Sequence, residues 1–220
     1  MPTRIDHLPP PADLAPAWSA IAATLATRGP RWATSAFARG PLWHHDDGGG
    51  NWADLVHGAD GRAVLLGHDH EYSDTYFREA AEYFGEDETD LLADADDWWA
   101  ALAAGHLEAI RTDGMWLGFL YAFDGTNWWR ADYEADDGFT SLALPFLDRS
   151  RTVAAVVDDL TQHCQAESHP VPADLETRAR RLVAVCPELT DDVAGYVFDG
   201  LTPDLDPAAA VTAARAFRQV

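Results

Sequence analysis

Apolar positions along the chain change their spacing, and each spacing predicts a different kind of element. Residues 12–29, ADLAPAWSAIAATLATRG, carry apolar side chains at near-helical intervals and end at Gly29-Pro30, which predicts one amphipathic helix. From about residue 50 to residue 145 the pattern becomes short runs of aromatic and branched residues punctuated by Asp-Gly pairs. Asp60-Gly61 separates NWADLVH from RAVLLGH, and Asp124-Gly125 separates MWLGFLYAF from NWWRADY. Asp-Gly readily takes the positive φ angles of a tight hairpin, so these pairs predict antiparallel strands. A further strand is expected over FTSLAL, after Asp137-Gly138.

Two helices interrupt these strands. Ser73 and Asp74 are placed to cap the first, with Tyr76, Phe77, Ala80, Ala81 and Phe84 along one face and Gly85 at its end. The second carries Leu91, Leu92, Ala95, Trp98, Trp99 and Leu102 on one stripe, and both stripes are expected to face the sheet. After Leu147 the strands give way to alanine- and valine-rich segments of helical period. Ser150 can cap a helix bearing Val153, Val156, Val157, Leu160 and Cys164. Another bears Leu175, Ala179, Leu182, Val183 and Cys186 and stops at Pro187. Thr190 and Asp206-Pro207 mark the starts of two more. The pattern therefore predicts an α+β protein: a central antiparallel sheet flanked by helices over residues 1–148, with an all-helical C-terminal region, 149–220, packed on it.

Composition narrows the class. The 220 residues are 47% hydrophobic, enough for a packed core rather than a disordered polymer. The formal net charge of -22 repels nucleic acid and anionic membrane and attracts basic proteins. All the basic side chains apart from histidine are arginines, the acids are mostly aspartates, and lysine is missing. A GC-rich genome or a saline habitat gives the same bias, so part of the charge is background. No run is long enough to span a bilayer. The N-terminus lacks a basic start followed by an apolar stretch, so a cytoplasmic location is expected, with Cys164 and Cys186 as buried thiols.

Candidate chemistry gathers at His44, His45, Asp46, Asp47, His57, His68, Asp69, His70 and Glu71. On an extended strand His68 and His70 share a face, and with Glu71 they make a candidate zinc set that would activate water. The plainer reading places these side chains at the solvated rim of the sheet, and the familiar His-Glu-x-x-His spelling is missing. Gly48-Gly49-Gly50 lacks the following Lys-Ser or Lys-Thr of a phosphate loop and reads as a turn. In the doublet Trp128-Trp129 one ring points inward and the other outward, toward a covering element or a partner. Acidic runs at Gly85–Asp97 and Asp132–Asp137 are either solvated faces or a surface that steers a basic protein.

GGGNWADLV followed by DGRAVLLGHDHE resembles the central sheet segment of the SUKH superfamily, in which a glycine-bearing turn leads into a strand ending near Asp-Leu, followed by a turn and a second strand with a terminal Asp-His or similar pair. The matching residues are Gly49, Gly50, Trp52, Asp54, Leu55, Val64, Leu65, Asp69, His70 and Glu71. The resemblance implies an α+β protein without an active site, acting in toxin immunity or as a scaffold, often against nucleases. The expectation is thus a non-enzymatic, acidic protein-binding module for a basic partner such as a toxin. Its contact residues are expected to be Asp54, Asp69, Glu71, Trp128, Asp132, Glu134, Asp136 and Asp137. The alternatives are a metal-dependent hydrolase using His68, His70 and Glu71, or a regulatory domain with a small-molecule pocket.

Overall fold

The computed structural model describes residues 1–218. In chain order the elements begin with β1 (Thr3–Ile5), α1 (Pro11–Thr27), the short α2 (Pro30–Ala33), β2 (Ala36–Arg39), β3 (Leu42–Asp46), β4 (Trp52–His57) and β5 (Ala63–His68). They continue with α3 (Glu79–Phe84), α4 (Asp97–Thr112), β6 (Phe119–Phe123), β7 (Trp128–Arg130), α5 (Arg149–Ala166), α6 (Leu175–Val185), α7 (Asp191–Phe198) and α8 (Pro207–Arg215). The expected class holds: the strands make an antiparallel sheet and the fold is α+β.

The chain groups into two compact units, Met1–Pro11 with Pro41–Ala143, and Ala12–Gly40 with the chain from Leu144 onward. This differs from a division at residue 148, because α1 groups with the C-terminal helices. The reason lies in α1 itself. Leu14, Trp18, Ala20, Ala22 and Ala23 are fully buried, so this helix is packed on more than one side. Within this unit Trp18 stacks on Phe146 at 3.8 Å, and Arg28 pairs with the largely buried Asp159. Cys164 and Cys186 are buried free thiols.

Six strands of the first unit run in the order β1-β7-β6-β5-β4-β3. The Asp60-Gly61 and Asp124-Gly125 turns close the hairpins β4–β5 and β6–β7 as their sequence predicts. Register places Trp52, Asp54 and Val56 of β4 opposite His68, Leu66 and Val64 of β5. These residues share one face with Leu120 and Ala122 of β6, and α4 covers it with Trp99, Ala103 and Ile110, helped by Phe77, Leu91 and Leu117. The opposite face is also buried, through Trp43, Leu55, Leu65, Phe119, Tyr121, Phe123 and Trp128. A sheet covered on both sides has no polar face, so β4, β5 and β6 read as continuous apolar runs rather than alternating ones.

Three local expectations change. FTSLAL is not a strand: Gly138 (φ 75°) and Ala143 (φ 47°) turn the backbone, and Phe139 packs edge-on against Phe119. The first interrupting helix begins at Glu79 instead of near Ser73, because Ser73 is engaged elsewhere, although Gly85 (φ 73°) ends it as expected. α5 is capped by Asp148, whose carboxylate accepts the Ser150 and Arg151 amides.

Gly67 is where the sheet tolerates least. A Cβ there would lie 2.3 Å from the Trp52 carbonyl and 2.5 Å from the Phe119 ring. Gly67→Ala is expected to destabilise the protein by about 1–3 kcal/mol through this overpacking, read as a lower urea midpoint with an unchanged m-value.

Candidate functional site

Two segments 64 residues apart in sequence are joined at Ser73. Its hydroxyl donates to the Asp137 carbonyl at 2.9 Å and accepts the Asp69 amide at 3.1 Å, and Ser73 and Asp137 form an isolated antiparallel bridge. The next amide, of Asp74, donates to the Asp136 carbonyl at 2.7 Å. Gly138 makes the approach possible, since a Cβ there would meet Ser73 Oγ at 2.5 Å and Asp69 Cβ at 2.6 Å. β5 has ended at His68, so residues 69–74 form a turn lying against residues 136–138.

Buried carboxylates hold both segments. Asp69 is only 2% exposed and accepts the amides of Glu71 and Tyr72, both at 2.9 Å. Asp137 is also buried. Its Oδ2 accepts Tyr121 Oη at 2.6 Å, Tyr133 Oη at 2.8 Å and the Arg130 guanidinium at 3.3 Å, while Oδ1 accepts the Phe139 amide at 3.1 Å. Burial and the adjacent carboxylate push both phenols above the ordinary tyrosine value, so each remains a proton donor. Asp69 and Asp137, expected as contact residues, are therefore corrected to scaffold. Both are buried, and their hydrogen bonds hold the fold's own backbone and side chains.

What the scaffold presents is acidic. Glu71, Asp74, Asp132, Glu134 and Asp136 are exposed, with Tyr72 among them at 57% exposure. Neither residues 69–77 nor 131–140 contain a lysine or arginine, and the neighbouring Arg130 is drawn inward onto Asp137 and Tyr133. Glu71, Asp132, Glu134 and Asp136 thus lie where a partner can reach them, on two segments that one bridge connects. Sequence reading did not single out Tyr72, and it placed Asp74 with Ser73 as a helix cap.

Trp128 is corrected too. It is buried at 2% exposure, packs at a tilt against Phe123 and donates from Nε1 to the Pro9 carbonyl at 2.8 Å. Its neighbour Trp129 is the half-exposed member of the doublet, bonded through Nε1 to Asp124.

Asp54 is the third correction. Expected near the end of a strand, it sits on the α4-covered face at 3% exposure, between two imidazoles. His44, its cross-strand partner, contacts Oδ1 through Nδ1 at 2.6 Å, and His106 of α4 contacts Oδ2 through Nε2 at 2.6 Å. An ionised carboxylate only accepts, so both ring nitrogens carry the proton. Burial alone would raise the Asp54 carboxyl, but the hydrogen bonds from His106 and His44 outweigh it and hold the group below the ordinary aspartate value. The result is a clamp tying β3, β4 and α4 together. His106 was not singled out from sequence. The available signal was a histidine in helical register with Ala103 and Ile110 on a buried stripe.

The zinc set is not assembled as strand alternation suggests. His68 is half-buried on the α4-covered face, whereas His70 and Glu71 are exposed in the turn, and the His70 amide donates to Asn51 Oδ1 at 2.8 Å. Among the described residues no group of three or more His, Cys, Asp or Glu is placed to hold a metal ion. Among the described residues, too, no helix is long and apolar enough to cross a membrane. Compared with known proteins, no family model, curated protein or solved structure matches this chain.

The clamp sets a pH signature. Because the folded Asp54 value lies below the unfolded one, its stabilisation is complete above the unfolded aspartate value of about 4 and is lost as pH falls through the lower folded value. Asp54→Asn is expected to cost about 1–3 kcal/mol near neutral pH, because its amide can accept from only one of the two imidazoles and leaves the other without an acceptor. The difference from the native protein should shrink below about pH 4, as followed by urea unfolding at several pH values.

Proposed function

We propose that this chain is a non-enzymatic binding module for a basic protein, engaged through Glu71, Tyr72, Asp74, Asp132, Glu134 and Asp136. The observation that carries the reading is the Ser73–Asp137 bridge, which joins two acidic segments around one exposed tyrosine with no cation among them. An exposed aromatic ring supplies contact area at low entropic cost, and surrounding carboxylates steer a cationic surface toward it. The surface needs little reorganisation on binding, since Asp69, Ser73 and Asp137 hold its backbone from beneath. The net charge of -22 acts in the same direction at long range. The resemblance of residues 48–71 to the SUKH superfamily supports a toxin as the class of partner, with the chain serving as its immunity protein.

A pull-down with the purified chain as bait, at low and high salt, is expected to recover a basic protein whose capture falls with ionic strength. With that protein purified, Tyr72→Ala should weaken binding about tenfold by removing the aromatic anchor. The triple variant E71Q/D74N/D136N should weaken it by a similar factor, about tenfold, mainly through slower association, and should flatten the salt dependence. A partner without excess positive charge, or wild-type affinity in both variants, would overturn the reading.

A further inference from the structure

A second candidate site uses none of the side chains proposed above for partner contact. A cleft of about 420 Å³ opens between the segment Phe77–Glu79 and the C-terminal half of α4. That volume lies in the range of about 300–1,000 Å³ usual for small-molecule sites. Its walls are apolar: Phe77, Leu107, Ile110, Met115, Trp116 and Leu117. The small side chains of Ala100 and Ala104, one turn apart on α4, leave the space open.

Four charged side chains line this cleft, and they are unequally engaged. Arg111 and Glu108 pair with each other, with Arg111 Nε 3.0 Å from Glu108 Oε2. Glu79 adds its field to that of Glu108 on Arg111. Arg78 makes no ion pair among the described residues, and its guanidinium carbon lies 4.5 Å from the centre of the Phe77 ring. Its guanidinium is therefore available to an anionic group entering the cleft. The backbone adds an independent sign. Arg78 has φ 52° and ψ -117°, a conformation that costs a non-glycine residue energy and persists only where the surroundings impose it.

We infer that this cleft binds an amphipathic organic monoanion, with its apolar body against Phe77, Leu107, Ile110 and Trp116 and its terminal carboxylate received by Arg78. The planar guanidinium fork matches a carboxylate in a bidentate arrangement. Charge balance selects a monoanion. Glu108 is taken up by Arg111, so Arg78 is left to meet one negative charge, while Glu79 beside it opposes a second, as on a phosphate monoester.

The test is calorimetric titration of the full chain with decanoate below its micellar range, alongside decanol and decylamine. Decanoate is expected to bind at one site, and decanol and decylamine at least about tenfold more weakly, since a charge-assisted contact to arginine is missing in both. Arg78→Gly should also reduce decanoate affinity about tenfold while keeping the fold, because glycine adopts this backbone conformation without strain, and Arg78→Lys, which keeps the charge but loses the planar fork, should weaken binding by a smaller factor. Ala104→Trp, at an exposed position, fills the cleft and should abolish binding with an unchanged circular dichroism spectrum. No saturable heat with decanoate up to about 1 mM, equal binding of decanol, or native affinity in a folded Arg78→Gly would each overturn the inference.

Discussion

A carboxylate removed from water must be met by donors, and the first unit of this protein buries three of them. Asp54, Asp69 and Asp137 each lie below one tenth exposure, and each is resolved by a different set of partners. Asp54 takes two imidazole N–H groups, Asp69 two backbone amides of its own turn, and Asp137 two phenols, a guanidinium and an amide. Removing a single partner in such an arrangement leaves an uncompensated buried charge, so these groups define geometry more tightly than apolar packing does. The positions of α4, the 69–74 turn and the 136–138 segment all follow from them.

This constraint divides the acidic residues into two populations that look alike in sequence. Those facing inward organise backbone; those facing outward create a field. Asp137 and Asp136 are adjacent, yet one anchors Tyr121, Tyr133 and Arg130 while the other remains in solvent with its backbone carbonyl tied to Asp74. Because Arg130 is drawn inward, the outer surface along these segments carries carboxylates, Tyr72 and His70 but no arginine or lysine. A rigid acidic surface therefore arises as the outer side of a buried polar network.

The sheet explains why that network is tolerated. Its centre is covered on both faces, so side chains such as Leu65, Phe119 and Leu66 supply the apolar burial that stabilises the unit, and the few buried polar groups serve specificity. The cleft beside α4 shows the other side of this packing. Where α4 carries Ala100 and Ala104 in place of larger residues, its surface stays concave, and the strained Arg78 borders the gap.

Much of the fold was legible in the residues alone. The hairpins at Asp60-Gly61 and Asp124-Gly125, the helix caps at Thr190 and Asp206, the stop at Gly85 and the α+β class depend on local backbone preference and periodicity, which sequence carries directly. The acidic character of the surface, and the part Glu71, Asp132, Glu134 and Asp136 have in it, were also readable, since charge is a property of composition. What sequence could not separate was which aspartates lie inside. That depends on cross-strand register, which sets His44 beside Asp54, and on contacts spanning many residues: His106 to Asp54, and Ser73 to Asp137. Burial of Trp128 likewise depended on a distant carbonyl, that of Pro9. Local preference determined the elements, and the requirement that every buried charge find its donors, satisfied only in three dimensions, decided which residues build the site and which remain on its surface.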